Sequence, residues 1–252
     1  MRKVKALSLA LLVATLLLGF FQLLYTYDNK YKHQQAPIID GVLDLQTIHL
    51  FDHRIYSLVD NWHFYPHINT KDSLDAIPFE TIYIGQYPDY AMRDDTQDPY
   101  GIAAYHLQLQ TDKKGQSICL FIPEVDIAYT LWINKEVVLQ NGDITKHPIL
   151  PYIKYQVIEI DVVDTCDILF FVGNDSFYYS GLYFPILLSD TQGIQDVIIH
   201  KLLFYGFLCF TSFALLCYSL VLWLRSRHPL HLAFGIATYS FALFTFIEIL
   251  RF

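Results

Sequence analysis

Residues 100–142 read YGIAAYHLQLQTDKKGQSICLFIPEVDIAYTLWINKEVVLQNG, and this stretch decides the fold of the chain. From residue 102 to 110 the odd-numbered and even-numbered positions differ in character, and the odd-numbered ones are Ala103, Tyr105, Leu107 and Leu109. A period of two is typical of a β-strand with one covered face. The run SICLFIP at residues 117–123 is almost wholly apolar, which predicts a short strand buried on both faces.

Two further short strands are predicted in the same stretch. They are AYTLWIN at residues 128–134 and KEVVLQ at residues 135–140, and Asn141-Gly142 after them is a strong turn signal. Four short strands separated by turn chemistry predict the centre of an antiparallel β-sandwich. The main domain is therefore expected to be all-β.

Three long uncharged runs surround this domain in a chain of 252 residues that is 54% hydrophobic, with a mean hydropathy of +0.30. They occupy residues 6–25, 202–224 and 230–247. Each run is long enough to cross a hydrocarbon core about 30 Å thick as a helix. The sequence therefore predicts three transmembrane helices, with a domain of ordinary polarity between the first and the second.

The charge of the chain is divided between the domain and the flanks of the apolar runs. Residues 26–200 hold 24 acidic and 10 basic residues, a net charge of −14 against −8 for the whole chain. Such an acidic domain argues against nucleic acid or anionic lipid as its partner.

Basic residues also predict the orientation in the membrane. Arg2, Lys3 and Lys5 precede the first apolar run, and the loop at residues 225–231 between the other two is basic. The positive-inside rule places both in the cytoplasm and the β-domain outside. The first run ends without a small-x-small cleavage site, which favours an uncleaved anchor over a secretory signal peptide.

Further strands are expected at residues 42–50, 54–66, 79–84, 154–162, 167–172 and 182–188. The last contains Pro185, which predicts a sheet edge because proline cannot donate to the ladder. Residues 189–195 carry helix-capping side chains and predict a short linker that couples the domain mechanically to the second membrane run.

Five stretches, taken in order and spacing, resemble a known family. They are residues 58–68, 100–110, 120–142, 170–190 and 193–236. The chain resembles the bacterial seven-transmembrane receptors with diverse intracellular signalling modules. It is most similar to members whose outer domain is a galactose-binding-like jelly roll.

The resemblance implies a ligand sensor. A jelly-roll sandwich would bind a ligand outside the cell, and the helices would pass the signal to a cytoplasmic output such as a histidine kinase or a cyclic-dinucleotide synthase. The expected organisation is a cytoplasmic tip and anchor at residues 1–27, the sandwich at 28–196, and the first two helices of a seven-helix bundle at 197–252. The remaining helices and the output domain are expected beyond this chain.

Loop residues are the candidates for ligand contact. Tyrosine rings stack on the CH faces of sugars, and Asn, Asp and Arg side chains bond to sugar hydroxyls, so a carbohydrate-like small molecule is the expected ligand. Tyrosines also fill sandwich cores and membrane interfaces, which is the alternative for each of them. The predicted contacts are Tyr90, Arg93, Tyr100, Asn141, Asn174, Asp175, Tyr178 and Tyr179.

A calcium site is a weaker prediction. Asp94, Asp95 and Asp98 could supply the oxygen ligands of a structural Ca²⁺, although a solvated acidic loop without EF-hand spacing is the alternative. No other cofactor is expected. Cys119 and Cys166 fall in two predicted buried strands, where they would form either a disulfide or two buried free thiols.

Enzymatic activity is not expected. The sequence has no Gly-rich phosphate loop, no nucleophile elbow and no zinc-binding His-Glu-x-x-His pattern. The alternative to a receptor is therefore a membrane-anchored carbohydrate-binding or adhesion protein without signalling. Trp62 and Trp132 lie in mid-strand and are expected in the core.

Helix packing is predicted for the third apolar run. Ala233, Gly235, Ala237 and Thr238 give it a small-residue surface for close helix contact. Glu248 and Arg251 at its outer end are expected to face the bundle or the membrane interface.

Overall fold

The structure is a computed structural model that describes residues 2–27, 32–48, 50–66, 68, 74, 78–85, 100–112, 115–177 and 181–252. Its elements, in chain order, are α1 (Arg2–Tyr27), β1 (Gln34–Gln35), β2 (Val42–Asp44), β3 (Tyr56–Leu58), β4 (Trp62–Pro66), β5 (Glu80–Ile82), β6 (Gly101–Gln110), β7 (Gln116–Ile122), β8 (Ala128–Ile133), β9 (Glu136–Asn141), β10 (Gln156–Val162), β11 (Thr165–Asn174), β12 (Ile186–Ser189), α2 (Thr191–Ser226) and α3 (Pro229–Leu250). Short 3₁₀ turns at Leu45–Thr47 and Leu50–Asp52 follow β2.

The strands form two sheets. Sheet A has the order β1-β3-β12-β7-β10, and sheet B has the order β5-β4-β6-β11-β8-β9, with β2 also paired to β6. Neighbours are antiparallel except for β1 with β3 and β2 with β6. The mostly-β architecture followed by C-terminal helices agrees with the prediction.

One core lies between the two sheets. Leu58, Leu120 and Leu188 contribute from sheet A, and Trp62 and Phe170 contribute from sheet B, all fully buried. The rings of Trp62 and Phe170 meet edge to face with centroids 6.2 Å apart. Apolar side chains from both inner faces therefore make this a β-sandwich, because each sheet must bury its apolar face against another layer.

The four strands predicted in residues 100–142 are all present, but they do not form one sheet. Strand β7 lies in sheet A, whereas β6, β8 and β9 lie in sheet B, and β11 separates β6 from β8. The residues that set this order belong to β11, which pairs with β6 on one side and with β8 on the other. Strand existence follows from local periodicity, but this pairing is non-local.

Strand β7 is buried on both faces, as the apolar run predicted. Leu120 points into the core, while Cys119 and Phe121 point out of the sandwich. The outward pair packs under Ile194 and Val197 of α2. The second face of β7 is thus covered by the first turns of α2.

The edge position predicted for the last strand is wrong. Strand β12 lies between β3 and β7, inside sheet A. Pro185 comes immediately before the first ladder residue, Ile186, so its missing N–H removes no hydrogen bond from the ladder.

The tight turn of residues 128–142 is at Asn134 and Lys135. Both have positive φ, 47° and 73°, which turns β8 directly into β9. Asn141 instead ends β9, and Gly142, with φ of 75°, starts the long loop at residues 142–155. A Cβ on Gly142 would lie 2.4 Å from the carbonyl oxygen of Leu150, so only glycine fits there.

Two helices among the described residues, α2 and α3, are long and apolar enough to cross a membrane, where the sequence predicted three. The first apolar run is helical as α1, whose 26 residues include a described apolar segment at Leu11–Thr26. Length and composition support membrane crossing only weakly, because buried core helices and signal sequences share them.

The predicted linker is helical. Asp190 caps α2, and its Oδ1 accepts a hydrogen bond of 2.8 Å from the N–H of Gly193. One residue therefore separates β12 from a continuous helix of 36 residues.

Helices α2 and α3 pack through small side chains. Gly235, Ala242 and Thr245 of α3 are buried, as are Ser212 and Ser219 of α2. The predicted small-residue surface is right only in part, because Ala233 and Ala237 are exposed. The contact follows a seam through Gly235 and Ala242, one heptad apart, as in close helix pairs.

Two questions left open by the sequence concern buried side chains of the sandwich. Cys119 and Cys166 are free thiols in different sheets, and burial raises the pKa of each to about 11. Trp62 is in the core as expected, whereas Trp132 is half-buried on the outer face of sheet B, against Phe171.

Candidate functional site

The strand register brings several predicted contact residues to one end of the sandwich. Asn174, the last residue of β11, is paired with Gly101, the first residue of β6, and Gly173 is paired with Ala128, the first residue of β8. Asn141 ends β9 on the far side of β8. We call this end, which the described segments 123–127, 142–155, 175–177 and 181–185 close, the loop end.

A cleft of about 370 Å³ opens at the loop end. Its walls are Tyr100, Gly101, Ile102, His147, Ile149, Asn174 and Asp175. The ring of Tyr100 is partly open to solvent, with 46% of the residue exposed. The structure thus places three of the predicted residues, Tyr100, Asn174 and Asp175, around one cleft, while their role in binding stays a prediction.

Asn174 shapes the loop that follows it. Its side-chain oxygen accepts hydrogen bonds from the N–H groups of Ser176 and Phe177, at 3.3 and 3.0 Å, and its amide nitrogen donates to the carbonyl of Phe177 at 2.6 Å. Asn and Asp favour such side-chain to backbone hydrogen bonds because their short side chains reach the backbone two or three residues further along the chain.

Asp175 ties the two loops of the cleft together. Its Oδ2 accepts a 2.7 Å hydrogen bond from the N–H of Ile149 and lies 3.2 Å from Nδ1 of His147, and its Oδ1 accepts from the Ser176 hydroxyl at 2.5 Å. These donors, the Ser176 hydroxyl first, hold the pKa of Asp175 below its usual value. The carboxylate therefore stays charged at the rim of the cleft.

Asn141 is buried beneath the loop instead of lining the cleft. Its Oδ1 accepts a 2.9 Å hydrogen bond from the N–H of Tyr152, which fixes the far part of the loop at residues 142–155. Its amide nitrogen is buried without a partner among the described residues. Asn141 is therefore placed to support the site from below.

The other predicted site residues fall outside the described residues. They are Tyr90, Arg93, Tyr178, Tyr179, Asp94, Asp95 and Asp98. The calcium prediction thus concerns residues outside the described ranges, and within those ranges no three His, Cys, Asp or Glu side chains are grouped to hold a metal ion.

The cleft offers recognition chemistry. An aromatic ring stands beside the apolar side chains of Ile102 and Ile149, and a carboxylate and an imidazole lie at the rim. The Ser176 hydroxyl donates its hydrogen bond to Asp175.

The helices reach the loop end as well. Arg251, which follows α3, donates hydrogen bonds of 2.8 Å to Glu124 and to Glu248, so the ionisable pair faces the sandwich, where the sequence predicted the bundle or the membrane interface. The carbonyl of Arg251 accepts from the N–H of Tyr155 at 3.0 Å, and the rings of Tyr155 and Phe252 stack at 4.1 Å. The loop at residues 142–155 therefore touches the cleft with His147 and Ile149 and touches the end of α3 with Tyr155.

Sequence reasoning missed these contacts. His147 and Ile149 lie in a stretch broken by two prolines, which signals a loop but not its partners. The pairing of Arg251 with Glu124 joins residues far apart in the chain, and only their charges could have indicated it.

No family model matches the chain, and no curated protein matches it. Solved structures that show some likeness include a GH2 β-galacturonidase from Eisenbergiella tayi bound to galacturonate (13% identity, 54% of this chain and 24% of that one, TM-score 0.39). A β-glucuronidase from Faecalibacterium prausnitzii (14%, 53% and 31%, 0.39) and a glycosyl hydrolase family 2 member from Bacteroides cellulosilyticus (16%, 54% and 20%, 0.42) are others. This chain spans less than a third of each, and a likeness at these TM-scores carries no argument about its function.

Proposed function

We propose that this chain is the extracytoplasmic sensing module of a bacterial membrane receptor. Its sandwich would be a galactose-binding-like jelly roll that binds a small carbohydrate-like molecule at the loop-end cleft, without turnover. The helices α2 and α3 would begin a seven-helix bundle, α1 would anchor the N-terminus, and a cytoplasmic output would follow beyond this chain. The observation that carries the proposal is the loop at residues 142–155, which contacts both the cleft and the end of α3.

The chemistry of the cleft supports a polar, ring-shaped ligand. The exposed Tyr100 ring can stack on the CH face of a sugar. The charged carboxylate of Asp175 can accept hydrogen bonds from the sugar hydroxyls. A volume of about 370 Å³ falls in the range of small-molecule sites.

The contacts of the loop supply a route for coupling. A ligand that pulls on His147 or Ile149 acts on a segment whose other end, Tyr155, is hydrogen-bonded to Arg251 and stacked on Phe252. Asp175 and Asn141 hold this segment at two points, so a displacement is passed along it more readily than through a slack loop. A ligand shifts the helices only as far as it binds one arrangement of this segment more tightly than another.

Ligand binding is tested with a thermal-shift screen. The full chain, in nanodiscs of phosphatidylcholine, is heated with neutral hexoses, uronic acids and Ca²⁺ in turn. A specific sugar is expected to raise the unfolding temperature, because a ligand at about a hundred times its Kd adds roughly 2.7 kcal/mol to the free energy of unfolding. Tyr100→Ala is expected to abolish the rise.

The matched control is Val163→Ala, which removes an exposed apolar side chain between β10 and β11, at the opposite end of the sandwich. It is expected to keep the full rise. If no sugar shifts the transition, or if Tyr100→Ala keeps the whole rise, the ligand proposal is wrong.

Coupling is tested without any ligand by Asp175→Ala. Removing the acceptor for the Ile149 N–H is expected to speed hydrogen exchange at the amides of residues 147, 149 and 150, at Tyr155 and at the end of α3, by about fivefold to tenfold if a net hydrogen bond of roughly 1 kcal/mol is lost. Hydrogen exchange of the full chain in nanodiscs, read by mass spectrometry, measures this.

Asp143→Ala is the control for coupling. Asp143 lies in the same loop, but its hydrogen bonds go only to Thr145 and Lys146, so its effect is expected to stay local. Exchange that rises in Asp175→Ala only next to Ile149 would contradict the coupling and would favour a binding or adhesion protein without signalling.

A further inference from the structure

The walls of the loop-end cleft hold one carboxylate, that of Asp175. In the part of the chain that the structure describes, no lysine or arginine lines the cleft. The side chain of Asp175 is 21% exposed, so a ligand can reach the carboxylate although most of it is shielded from water. Partial shielding strengthens the attraction between such a charge and an opposite one.

The carboxylate of Asp175 can accept one more hydrogen bond. Its two oxygens together offer about four acceptor positions. Oδ2 accepts from the N–H of Ile149 and faces Nδ1 of His147, and Oδ1 accepts from the Ser176 hydroxyl. The described residues thus use three positions, and the fourth, on Oδ1, is left for a donor from a ligand.

Two basic neighbours in the loop leave the charge of Asp175 available. Lys146 is paired with another carboxylate, since its Nζ lies 3.0 Å from Oδ2 of Asp143. His147 contacts Asp175 through Nδ1, and an imidazole can donate from this atom without carrying a charge.

The ring of Tyr100 stands beside this carboxylate. Antiparallel pairing of Asn174 with Gly101 brings Asp175 and Tyr100 to facing positions one residue beyond the ladder, and both line the cleft. The face of an aromatic ring attracts an ammonium group as well as the CH groups of a sugar. The net charge of −14 over residues 26–200 adds a long-range attraction for cations.

We propose that the cleft selects ligands with a protonated amine, such as amino sugars, with the ammonium group on Oδ1 of Asp175 and the ring against Tyr100. This inference rests on the proposed function, because it specifies which carbohydrate-like molecules the same cleft prefers. An ammonium group donates hydrogen bonds and accepts none, so it matches the remaining position of the carboxylate better than a hydroxyl does. A uronic acid would instead bring two negative charges together.

Matched glycosides test the preference for charge. The full chain in phosphatidylcholine nanodiscs is titrated calorimetrically with aminoethyl, hydroxyethyl and carboxymethyl glycosides of glucose, galactose and mannose, against empty nanodiscs. The buffer is at about pH 8, where an ordinary imidazole is neutral and an alkylammonium group keeps its charge. For at least one sugar, the aminoethyl form is expected to bind about tenfold more tightly than the hydroxyethyl form, and the carboxymethyl form is expected to bind most weakly.

Two variants that each remove one negative charge locate the preference. Asp175→Asn is expected to bind the aminoethyl and hydroxyethyl forms about equally, while its amide oxygen can still accept from the N–H of Ile149. Asp161→Asn is the matched control. It neutralises an exposed carboxylate near the end of β10, at the opposite end of the sandwich, and is expected to keep the full preference.

Equal binding of the aminoethyl and hydroxyethyl forms by the unchanged protein would overturn this inference and leave the proposed function standing. If none of the glycosides binds, both are wrong. A preference that persists in Asp175→Asn, or that is lost in Asp161→Asn, would overturn the contact with Asp175. The comparison between ligands uses the unchanged protein, so it stands even if Asp175→Asn folds poorly.

Discussion

Trp62→Ala is expected to lower the free energy of unfolding of the sandwich by about 3–5 kcal/mol. Trp62 is fully buried between the sheets, its ring meets Phe170 edge to face, and its indole N–H donates to the carbonyl of Leu58 at 3.3 Å. Truncation would leave a large cavity in an interior that cannot collapse around it. Urea unfolding of the full chain, followed by circular dichroism of the strands, measures the loss.

Trp132→Ala is the matched control, since Trp132 lies in the same sheet but on its outer face, half-buried against Phe171. We expect it to cost less than half as much, because the removed ring leaves a surface depression and not a closed cavity. Equal losses for the two variants would show that the core is not where the structure puts it.

Gly193→Ala is expected to destabilise the protein by about 1–3 kcal/mol, although alanine normally favours a helix over glycine. Gly193 lies in the first turn of α2, and a Cβ there would be 2.2 Å from the Ser189 hydroxyl and 2.9 Å from the carbonyl oxygen of His53. The hydroxyl could rotate away, but the carbonyl belongs to the backbone. The first turn of α2 would therefore have to move off the sandwich.

Gly206→Ala tests the same substitution farther along α2, where nothing lies within 4 Å of the added Cβ. It is expected to keep the stability or to raise it by up to about 1 kcal/mol, because alanine favours a helix over glycine. The two variants are compared by thermal unfolding in nanodiscs, and a Gly193→Ala protein as stable as the unchanged one would contradict the close contact between α2 and the sandwich.

The local patterns of the sequence predicted the strands well. The alternation in β6 and the apolar run in β7 follow from which faces of each strand are buried, and the residue types along a strand indicate that burial directly. The order of strands was not predictable in the same way, because β11 enters between β6 and β8 from a distant part of the chain. The edge position predicted from Pro185 was wrong for a related reason. A shift of one residue decides whether the missing N–H of Pro185 removes a hydrogen bond from the ladder.

For the candidate site, the sequence predicted which residues lie near one another but not which hydrogen bonds they make. Tyr100, Asn174 and Asp175 lie beside strand ends, and antiparallel pairing brings such residues together. Their hydrogen bonds could not be predicted, because Asp175 bonds to a loop whose path depends on the whole fold.

The direction of α2 has a consequence for access to the cleft. After β12 the chain turns back over sheet A, passes Phe121 and Tyr155, and leaves at the loop end, where Arg251 also returns. If α2 and α3 cross a bilayer, the end of the sandwich that holds the cleft lies nearest the lipid, and the opposite end lies farthest from it. A ligand of the proposed site would then reach the cleft from the membrane-proximal side of the domain.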